Sequence, residues 1–289
     1  MFQQPSFSPT ADELYWLLDS LGLDEPQWIV IESHDDDWRG IQATWVGERL
    51  ITVEFREGAD AEMSEFPAVD VLTAHQLILG CMSNPQDWVS VARGIVPELE
   101  TSAFARSAEE SIRERLSYDY SKSGLSVQVA VLDYVKSAEH LGVAVTPPLM
   151  IDWGALRVTP GDVWAVSGPG RVSVVVERFA PEQRHGISIS SARPGLGFDG
   201  MTNLPEVVLW PDGGRTEFVV DHDGSVDALR ISNVFLYGDG GSAHVARGAE
   251  NSALSVKVAS ADERVYHCNY YSTSPPTFDD LVFRVIRTG

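Results

Sequence analysis

The sequence is poor in cysteine and in lysine. Only 2 of its 289 residues are cysteine, and Cys81 and Cys268 lie far apart in the chain. A disulfide framework uses an even set of closely spaced cysteines, so these two are expected to be buried thiols in a reducing compartment. Only 3 of the 21 basic residues are lysine, and the preference for arginine is typical of a GC-rich bacterial genome.

Long apolar runs are also missing. No stretch approaches the roughly 18 consecutive apolar residues that a membrane-spanning helix needs. Residues 1–5 have neither the basic segment nor the apolar segment of a secretory signal. We therefore expect a cytoplasmic protein that does not associate with membranes.

Positive charge is scarce relative to negative charge. The chain has 42 acidic and 21 basic residues, a formal net charge of −21. Residues 1–120 hold 23 acidic and 7 basic side chains, whereas residues 121–289 hold 19 and 14. A negative field of this kind repels nucleic acids and attracts a basic protein partner, although solubility alone also explains it.

The length and the hydrophobic pattern predict two domains. Residues 1–120 read as an acidic α+β module with a small antiparallel sheet and helices. Thr10 and Glu13 have the spacing of a capping box at the start of the first helix. The other elements predicted here are strands at 28–32, 40–45 and 50–56, a helix at 69–82, a short apolar segment at 88–97 and a charged helix at 103–118 that either faces solvent or acts as a connector.

Residues 121–289 read as an all-β antiparallel sandwich or jelly roll. Short β-rich runs are separated by Gly/Pro turns, and no crossover helices are visible after residue 145. The start of this module is ambiguous. Val127, Val129 and Val131 alternate as in a strand, whereas Leu132–Leu141 fits a short helix equally well.

Signatures of known chemistry are absent from the sequence. It has no nucleophile elbow, no Walker or Rossmann fingerprint and no zinc spacing, so no catalytic residue, metal ligand or cofactor is predicted. The segment Asp221–Asp227 resembles part of a calcium loop, but Ser232 stands where that loop needs a bidentate glutamate. An Asp-Gly hairpin turn is the favoured interpretation.

The loops of the second module are a candidate binding region for an enzyme or a carbohydrate-binding module. The Gly-rich segment 193–200 is expected to be a long loop, and Tyr270 and Tyr271 are expected to join its rim. The residues of this candidate loop site are Arg193, Asp199, Asp221, Asp223 and Asp227.

The first module carries the candidate partner-binding residues. Three adjacent carboxylates precede a tryptophan in one loop, and exposed tryptophan is a frequent interface anchor. Three adjacent carboxylates on an extended loop point in alternating directions, which disfavours a metal site. The predicted contact residues are Asp35, Asp36, Asp37, Trp38 and Glu62.

Residues 28–88 also carry a family-like pattern. It consists of the strand Trp28–Ile31, a strand with a central Ile41-Gln42, a strand that ends Val53–Gly58 and a helix that closes on Asn84–Trp88. This segment resembles small, poorly characterised actinobacterial α+β domains, some of which are similar to immunity proteins. Glu62 and Met63 stand where those domains have a histidine after the Gly58 turn, so the resemblance transfers no catalytic residue.

The leading hypothesis is therefore a non-enzymatic, immunity-like binding protein that presents an acidic surface to a basic protein partner. An enzyme or carbohydrate-binding module is the first alternative. A structural subunit of a larger assembly is the second, and it predicts an exposed apolar patch or sheet edge.

Overall fold

The chain divides into two compact units in the computed structural model. The first unit comprises Met1–Leu125 and Lys136–Val143, and the second comprises Ser126–Val135 and Ala144–Gly289. The structure describes residues 9–23, 28–32, 39–57, 64–84, 88–95, 108–212, 214–237 and 244–288. The sequence-based boundary at residues 120/121 does not anticipate that residues 136–143 belong with the first unit.

The first unit contains a four-stranded antiparallel meander with helices. The strands follow one another in the order β1-β2-β3-β4. This arrangement of a small sheet with helices confirms the predicted α+β class. The elements are α1 (Ala11–Ser20), β1 (Trp28–Glu32), β2 (Arg39–Gly47), β3 (Leu50–Glu57), β4 (Ser64–Asp70), α2 (Val71–Ser83), α3 (Trp88–Ile95) and α4 (Ala108–Arg115).

Helix α1 starts at the predicted capping box. The backbone N–H of Glu13 donates to Thr10 Oγ1 over 3.3 Å, and Glu13 Oε2 accepts from the backbone N–H of Thr10 over 2.8 Å. The helix is followed by Gly22, where a Cβ atom would lie 2.4 Å from Cζ2 of Trp45. Only glycine allows this close approach between the end of α1 and strand β2.

Strand β4 was missed in the sequence, where the second helix was expected to begin at residue 69. Pairing with β3 defines this strand, with Phe66 opposite Val53. The Phe55 and Phe66 rings meet edge to face with centroids 4.6 Å apart, which contributes to the core of the unit. Pro67 interrupts the alternation of apolar and polar residues by which a strand is predicted from sequence. The strand is therefore recognised only from its pairing with β3.

A buried ion pair connects the start of α2 to the end of α4. Asp70 is the N-cap of α2 and accepts from the backbone N–H of Leu72 and Thr73. Arg115 donates to both carboxylate oxygens of Asp70 over 3.0 and 2.8 Å. The helix predicted at 103–118 therefore does not face solvent along its whole length, because its last residue is buried.

Residues 127–140 form helix α5 (Val127–His140), so the strand suggested by alternating valines is wrong and the helix starts earlier than residue 132. Two backbone N–H groups at its N-terminus find acceptors outside the helix. Val127 N–H donates to Asn251 Oδ1 over 3.2 Å, and Gln128 N–H donates to the carbonyl of Glu250 over 2.9 Å. These donors have no partner inside the helix, and residues far along the chain provide their acceptors.

Among the described residues, no helix has the length and apolar character needed to cross a membrane.

The second unit is built from antiparallel strands that form two sheets. The strands are β5 (Ile151–Trp153), β6 (Leu156–Thr159), β7 (Asp162–Ala165), β8 (Gly170–Phe179), β9 (His185–Ser190), β10 (Leu196–Phe198), β11 (Met201–Leu204), β12 (Glu206–Leu209), β13 (Glu217–His222), β14 (Ala228–Tyr237), β15 (His244–Ala246), β16 (Ala253–Ser260), β17 (Glu263–Asn269) and β18 (Leu281–Thr288).

A nine-stranded sheet has the order β11-β10-β13-β8-β18-β17-β16-β6-β5, and a second sheet has the order β12-β9-β14-β15 with β7 also paired to β14. Buried side chains from both sheets form a single hydrophobic core, including Val174 of β8, Ile189 of β9 and Phe283 of β18.

Strands β5, β10 and β11 were not predicted. Leu196 of β10 is fully buried in this core, which the flanking glycines conceal in the sequence.

Replacing Asp70 with alanine should destabilise the first unit by roughly 3–5 kcal/mol, because it removes a helix cap and leaves the Arg115 guanidinium buried without its carboxylate. Urea unfolding followed by tryptophan fluorescence measures this loss. Lys122→Ala is the control, since its side chain is 73% exposed in its ion pair with Asp119, and it should cost less than about 1 kcal/mol. Equal effects of the two substitutions would contradict the structural role of the buried pair.

Candidate functional site

The partner-binding residues predicted from the sequence, Asp35, Asp36, Asp37, Trp38 and Glu62, all lie outside the described residues. Their role remains a prediction. In the chain, residues 35–38 fall between β1 and β2, and Glu62 falls between β3 and β4.

The outer face of the small sheet is a mixed apolar and acidic surface. Trp28 and Val30 of β1 are 53% and 43% exposed, and Glu32 follows on the same face. Cross-strand register places Gln42 opposite Val30, and Glu54 opposite Gln42. Residues directly opposite in an antiparallel pair share a face. We call the surface formed by Trp28, Val30, Glu32, Gln42 and Glu54 the outer sheet face.

Strand β1 is also the edge of this sheet. It pairs with β2 in regular register over all five residues and has no second neighbour among the described strands. Proteins protect exposed edges with lysine, proline or a bulge, and Trp28–Glu32 contains none of these. The edge is therefore open to pairing with another extended chain.

Some carboxylates of the first unit are used inside the fold. Asp19 is buried and contacts both Arg49, over 2.9 Å, and Lys136. Asp70 is committed to Arg115. By contrast, no ion pair within the described residues involves Glu32 or Glu54. Arg56 lies on the same face, two residues beyond Glu54 on β3 and opposite Gly40.

The loop site predicted in the second unit is brought together by strand pairing. Leu196 of β10 lies opposite His222 of β13, and Asp223 N–H donates to the carbonyl of Gly195 over 3.0 Å. A Cβ atom at Gly195 would lie 2.6 Å from Asp223 Oδ1 and from Ser225 Oγ, so glycine permits this approach. Segments 193–200 and 221–227 are therefore neighbours.

The carboxylates of this loop site are nevertheless occupied by other protein groups. Arg215 binds Asp199 through two hydrogen bonds of 2.8 and 2.9 Å, and this lowers the pKa of the Asp199 carboxyl group. Arg171 binds Asp221 over 2.7 Å. Asp199 and Asp221 therefore form ion pairs on the surface of the sheet.

Asp223 closes a turn on itself. It accepts from the backbone and the hydroxyl of Ser225, and these hydrogen bonds lower its pKa. This is the geometry of an Asp-Gly turn. Arg193 and Asp227 are exposed, and only their carbonyl oxygens have hydrogen bonds, from Ser191 and Val166. Among the described residues, no group of three or more His, Cys, Asp or Glu side chains is placed to hold a metal ion.

A cluster of aromatic rings lies elsewhere in the second unit, and the sequence indicated only two of its members. The rings of Phe235, Tyr237, His244, Tyr270 and Tyr271 lie in mutual contact, and we call them the tyrosine cluster. Phe235 and Tyr271 stack with centroids 4.5 Å apart, and Tyr237 lies 5.6 Å from Tyr271 and 5.7 Å from His244. The signal in the sequence was the pair Tyr270-Tyr271, but its partners at the end of β14 gave no local signal.

The tyrosine cluster does not share a rim with segment 193–200. Phe235 lies opposite His185 at the start of β9, whereas Arg230 lies opposite Ser190 at its end, just before that segment. Five residues of strand separate the two ends, which is about 17 Å at roughly 3.3 Å per residue. The tyrosine cluster and segment 193–200 therefore lie toward opposite ends of β9.

A buried carboxamide holds the loop that carries Tyr270 and Tyr271. Asn269 Nδ2 donates to three carbonyl oxygens, those of Asn251, Tyr270 and Thr273, over 2.9–3.1 Å. Its Oδ1 accepts from the backbone N–H of Thr277 and Phe278 over 2.9 and 3.3 Å. All the hydrogen-bonding capacity of this side chain is used to fix the backbone of residues 270–278.

Two further polar groups, the half-buried Asp280 and the buried Asn233, support the cluster from below. Asp280 Oδ2 accepts from the backbone N–H of Tyr270 over 2.8 Å. Asn233 Nδ2 lies 3.1 Å from His185 Nε2 and 2.9 Å from the carbonyl of Asn269. If Asn233 donates to Nε2, the neutral His185 ring carries its proton on Nδ1, which has no partner among the described residues.

His185 contacts the ring of Tyr270 edge to face, with centroids 5.4 Å apart. The His185 side chain is buried, and burial lowers its pKa to about 4, against a smaller opposing effect of Asp280. The imidazole is therefore neutral in the folded protein at neutral pH, and it forms part of the floor beneath Tyr270.

Comparison with known proteins found no matching protein-family model, no matching curated protein and no matching solved structure.

The stability of the second unit should fall as the pH is lowered from 6.5 to 4. Above pH 6.5 His185 is neutral in both states and contributes nothing. Below that value the unfolded chain takes up a proton that the folded chain does not, because burial lowers the folded-state pKa to about 4. The loss approaches about 3 kcal/mol at pH 4 and then levels off.

His185→Gln should flatten this part of the pH profile, measured as the free energy of unfolding in urea at several pH values. His267→Gln is the control, since the His267 side chain is 41% exposed. A profile that is unchanged by His185→Gln would show that His185 does not titrate as the structure requires.

Asn269→Ala should release the loop that carries the two tyrosines. It leaves several buried backbone groups without partners, at a cost of roughly 3 kcal/mol. Hydrogen exchange at the amides of Thr277 and Phe278 should become much faster, while amides of the β9–β14 pair keep their protection. Unchanged exchange at Thr277 and Phe278 would disprove the anchoring role.

Proposed function

We propose that this chain is a non-enzymatic, immunity-like binding protein whose first unit takes a basic protein partner. The observation that carries the proposal is the outer sheet face, where exposed Trp28 and Val30 lie beside Glu32 and Glu54 on an unprotected edge strand. An aromatic anchor with charged side chains nearby is a typical binding surface.

The proposed partner is basic because of the charge around this face. Residues 1–120 carry a formal net charge of −16, and the described buried carboxylates of Asp19 and Asp70 are each paired with a cation. The field steers a cationic protein toward the unit and raises its rate of association. The loop residues Asp35, Asp36, Asp37, Trp38 and Glu62 are retained as proposed contacts that extend the same acidic surface.

The proposed mode of action is occlusion. The partner packs an apolar group against Trp28 and Val30, places cations near Glu32 and Glu54, and in doing so covers a surface of its own. An extended segment of the partner could also pair with β1, which is the recognition mode that an open edge supports.

Other parts of the sequence-based interpretation are retained as proposals. The shared core of the two sheets supports a β-sandwich for the second unit. Burial of both cysteines, one in each unit, supports a cytoplasmic location. The alternative of an enzyme or sugar-binding site on segments 193–200 and 221–227 receives less support, because Asp199, Asp221 and Asp223 are already engaged.

Affinity capture from the native host, with identification of the bound protein by mass spectrometry, tests the proposal. The wild-type chain is compared with the triple variant Trp28→Ala, Glu32→Gln, Glu54→Gln. We expect a protein of net positive charge that the wild type retains and the triple variant binds at least tenfold more weakly. The measured affinity should also fall at least tenfold between 50 and 500 mM salt.

The matched control is the triple variant Val258→Ala, Glu182→Gln, Glu217→Gln. It removes the same charge and one exposed apolar side chain from the second unit, and it should bind like the wild type. A specific partner whose affinity is insensitive to salt, or that binds both triple variants equally, would refute the proposal. Capture of a second copy of the chain would instead favour the alternative of a structural subunit.

A further inference from the structure

The tyrosine cluster has an apolar floor and a polar, accessible rim. Phe235 is fully buried beneath it, whereas Tyr237 is 45% exposed and Tyr270 and Tyr271 are half-buried. His244 is exposed at the side of Tyr237. The surface therefore offers ring faces next to phenolic hydroxyl groups and an imidazole, all within one group of touching side chains.

The hydrophobic core does not explain the position of these rings. The core of the second unit is formed by aliphatic and aromatic side chains of both sheets, and Tyr237, Tyr270 and Tyr271 are not part of it. The loop that holds two of these rings is instead fixed by Asn269 and Asp280. Rings that are held rigidly at a surface lose little conformational entropy when a ligand binds.

The chemistry of the rim selects the ligand. The tyrosine cluster consists of phenyl, phenol and imidazole side chains and contains no carboxylate, guanidinium or ammonium group. The nearest carboxylate in the supporting network, Asp280, is committed to the backbone of Tyr270. The rim therefore matches an uncharged ligand that has flat C–H surfaces for the rings and hydroxyl groups for the phenols and the imidazole. Sugars have both properties.

We propose that the tyrosine cluster is a binding site for a neutral saccharide, with Tyr237 and Tyr271 as the ring surfaces on which a pyranose packs. The hydroxyl groups of Tyr237 and Tyr270 and the imidazole of His244 bind the edge of the sugar. The site does not depend on the proposed protein partner, since it is built entirely from residues of the second unit.

This site is tested by titrating the full-length protein with neutral trisaccharides of glucose, xylose, mannose, galactose and N-acetylglucosamine. Binding is measured by isothermal titration calorimetry and by NMR chemical-shift changes. We expect saturable binding of at least one of them. Tyr237→Ala and Tyr271→Ala should each weaken that binding at least tenfold. Tyr237→Phe should weaken it less, because the ring remains and only the hydroxyl is lost.

The control is the triple variant Trp28→Ala, Glu32→Gln, Glu54→Gln, which should bind the saccharide like the wild type. The far-UV circular dichroism spectrum and the urea unfolding midpoint of each tyrosine variant establish that the variant is folded. Absence of binding to every trisaccharide overturns the proposal, and so does binding that survives both alanine substitutions. Because the protein-capture experiment uses different residues, failure at one site leaves the result at the other unaffected.

Discussion

Cations are half as numerous as carboxylates in this chain, and where each cation is placed decides where negative charge stays uncompensated. In the second unit, arginines pair with carboxylates along the nine-stranded sheet. Arg284 alone contacts Glu177 and Glu263, both over 2.6 Å. Other pairs of this kind include Arg157–Asp152, Arg171–Asp221, Arg178–Asp279, Arg215–Asp199 and Arg287–Asp262. That surface is consequently close to neutral over short distances.

The first unit uses its cations differently. Asp19 is buried and is contacted by both Arg49 and Lys136, and the buried carboxylate of Asp70 takes Arg115. A buried carboxylate needs such partners, because its desolvation is not otherwise offset. Cations that satisfy the interior are not available to the surface. Glu32 and Glu54 of the outer sheet face take part in no ion pair within the described part of the chain, and the excess of carboxylates in residues 1–120 sets the sign of the field.

Local signals in the sequence predicted those elements whose cause is local. The capping box at Thr10 and Glu13 and the alternation in β2 and β3 are complete within a few residues, and the structure confirms them. Helix α5 and strand β4 depend on distant partners, since Asn251 caps the first and β3 defines the second. Strand β10 lies between glycines that read as a loop, although Leu196 is fully buried.

The candidate sites follow the same rule. The proximity of segments 193–200 and 221–227 was anticipated, but the use of Asp199 by Arg215 depends on a residue outside both segments. Tyr270 and Tyr271 stand out in the sequence, whereas the stacking of Tyr271 on Phe235 depends on the return of the chain from β14 to the end of β17. Sequence patterns therefore located several of the relevant side chains without showing which of them would meet.

The two proposed sites rest on opposite physical effects. The outer sheet face acts through long-range charge and an unpaired strand edge, both of which tolerate variation in the exact position of a side chain. The tyrosine cluster acts only at contact distance, so its rings must be held in place, and the buried carboxamide of Asn269 fixes the backbone of the loop that carries Tyr270 and Tyr271 by sharing its donors among three carbonyl oxygens and accepting from two N–H groups. Burying so many polar groups is favourable only when every one is satisfied. A loop that meets this requirement outside the hydrophobic core has a backbone conformation as well defined as that of the core. The positions of the Tyr270 and Tyr271 rings follow from that backbone conformation.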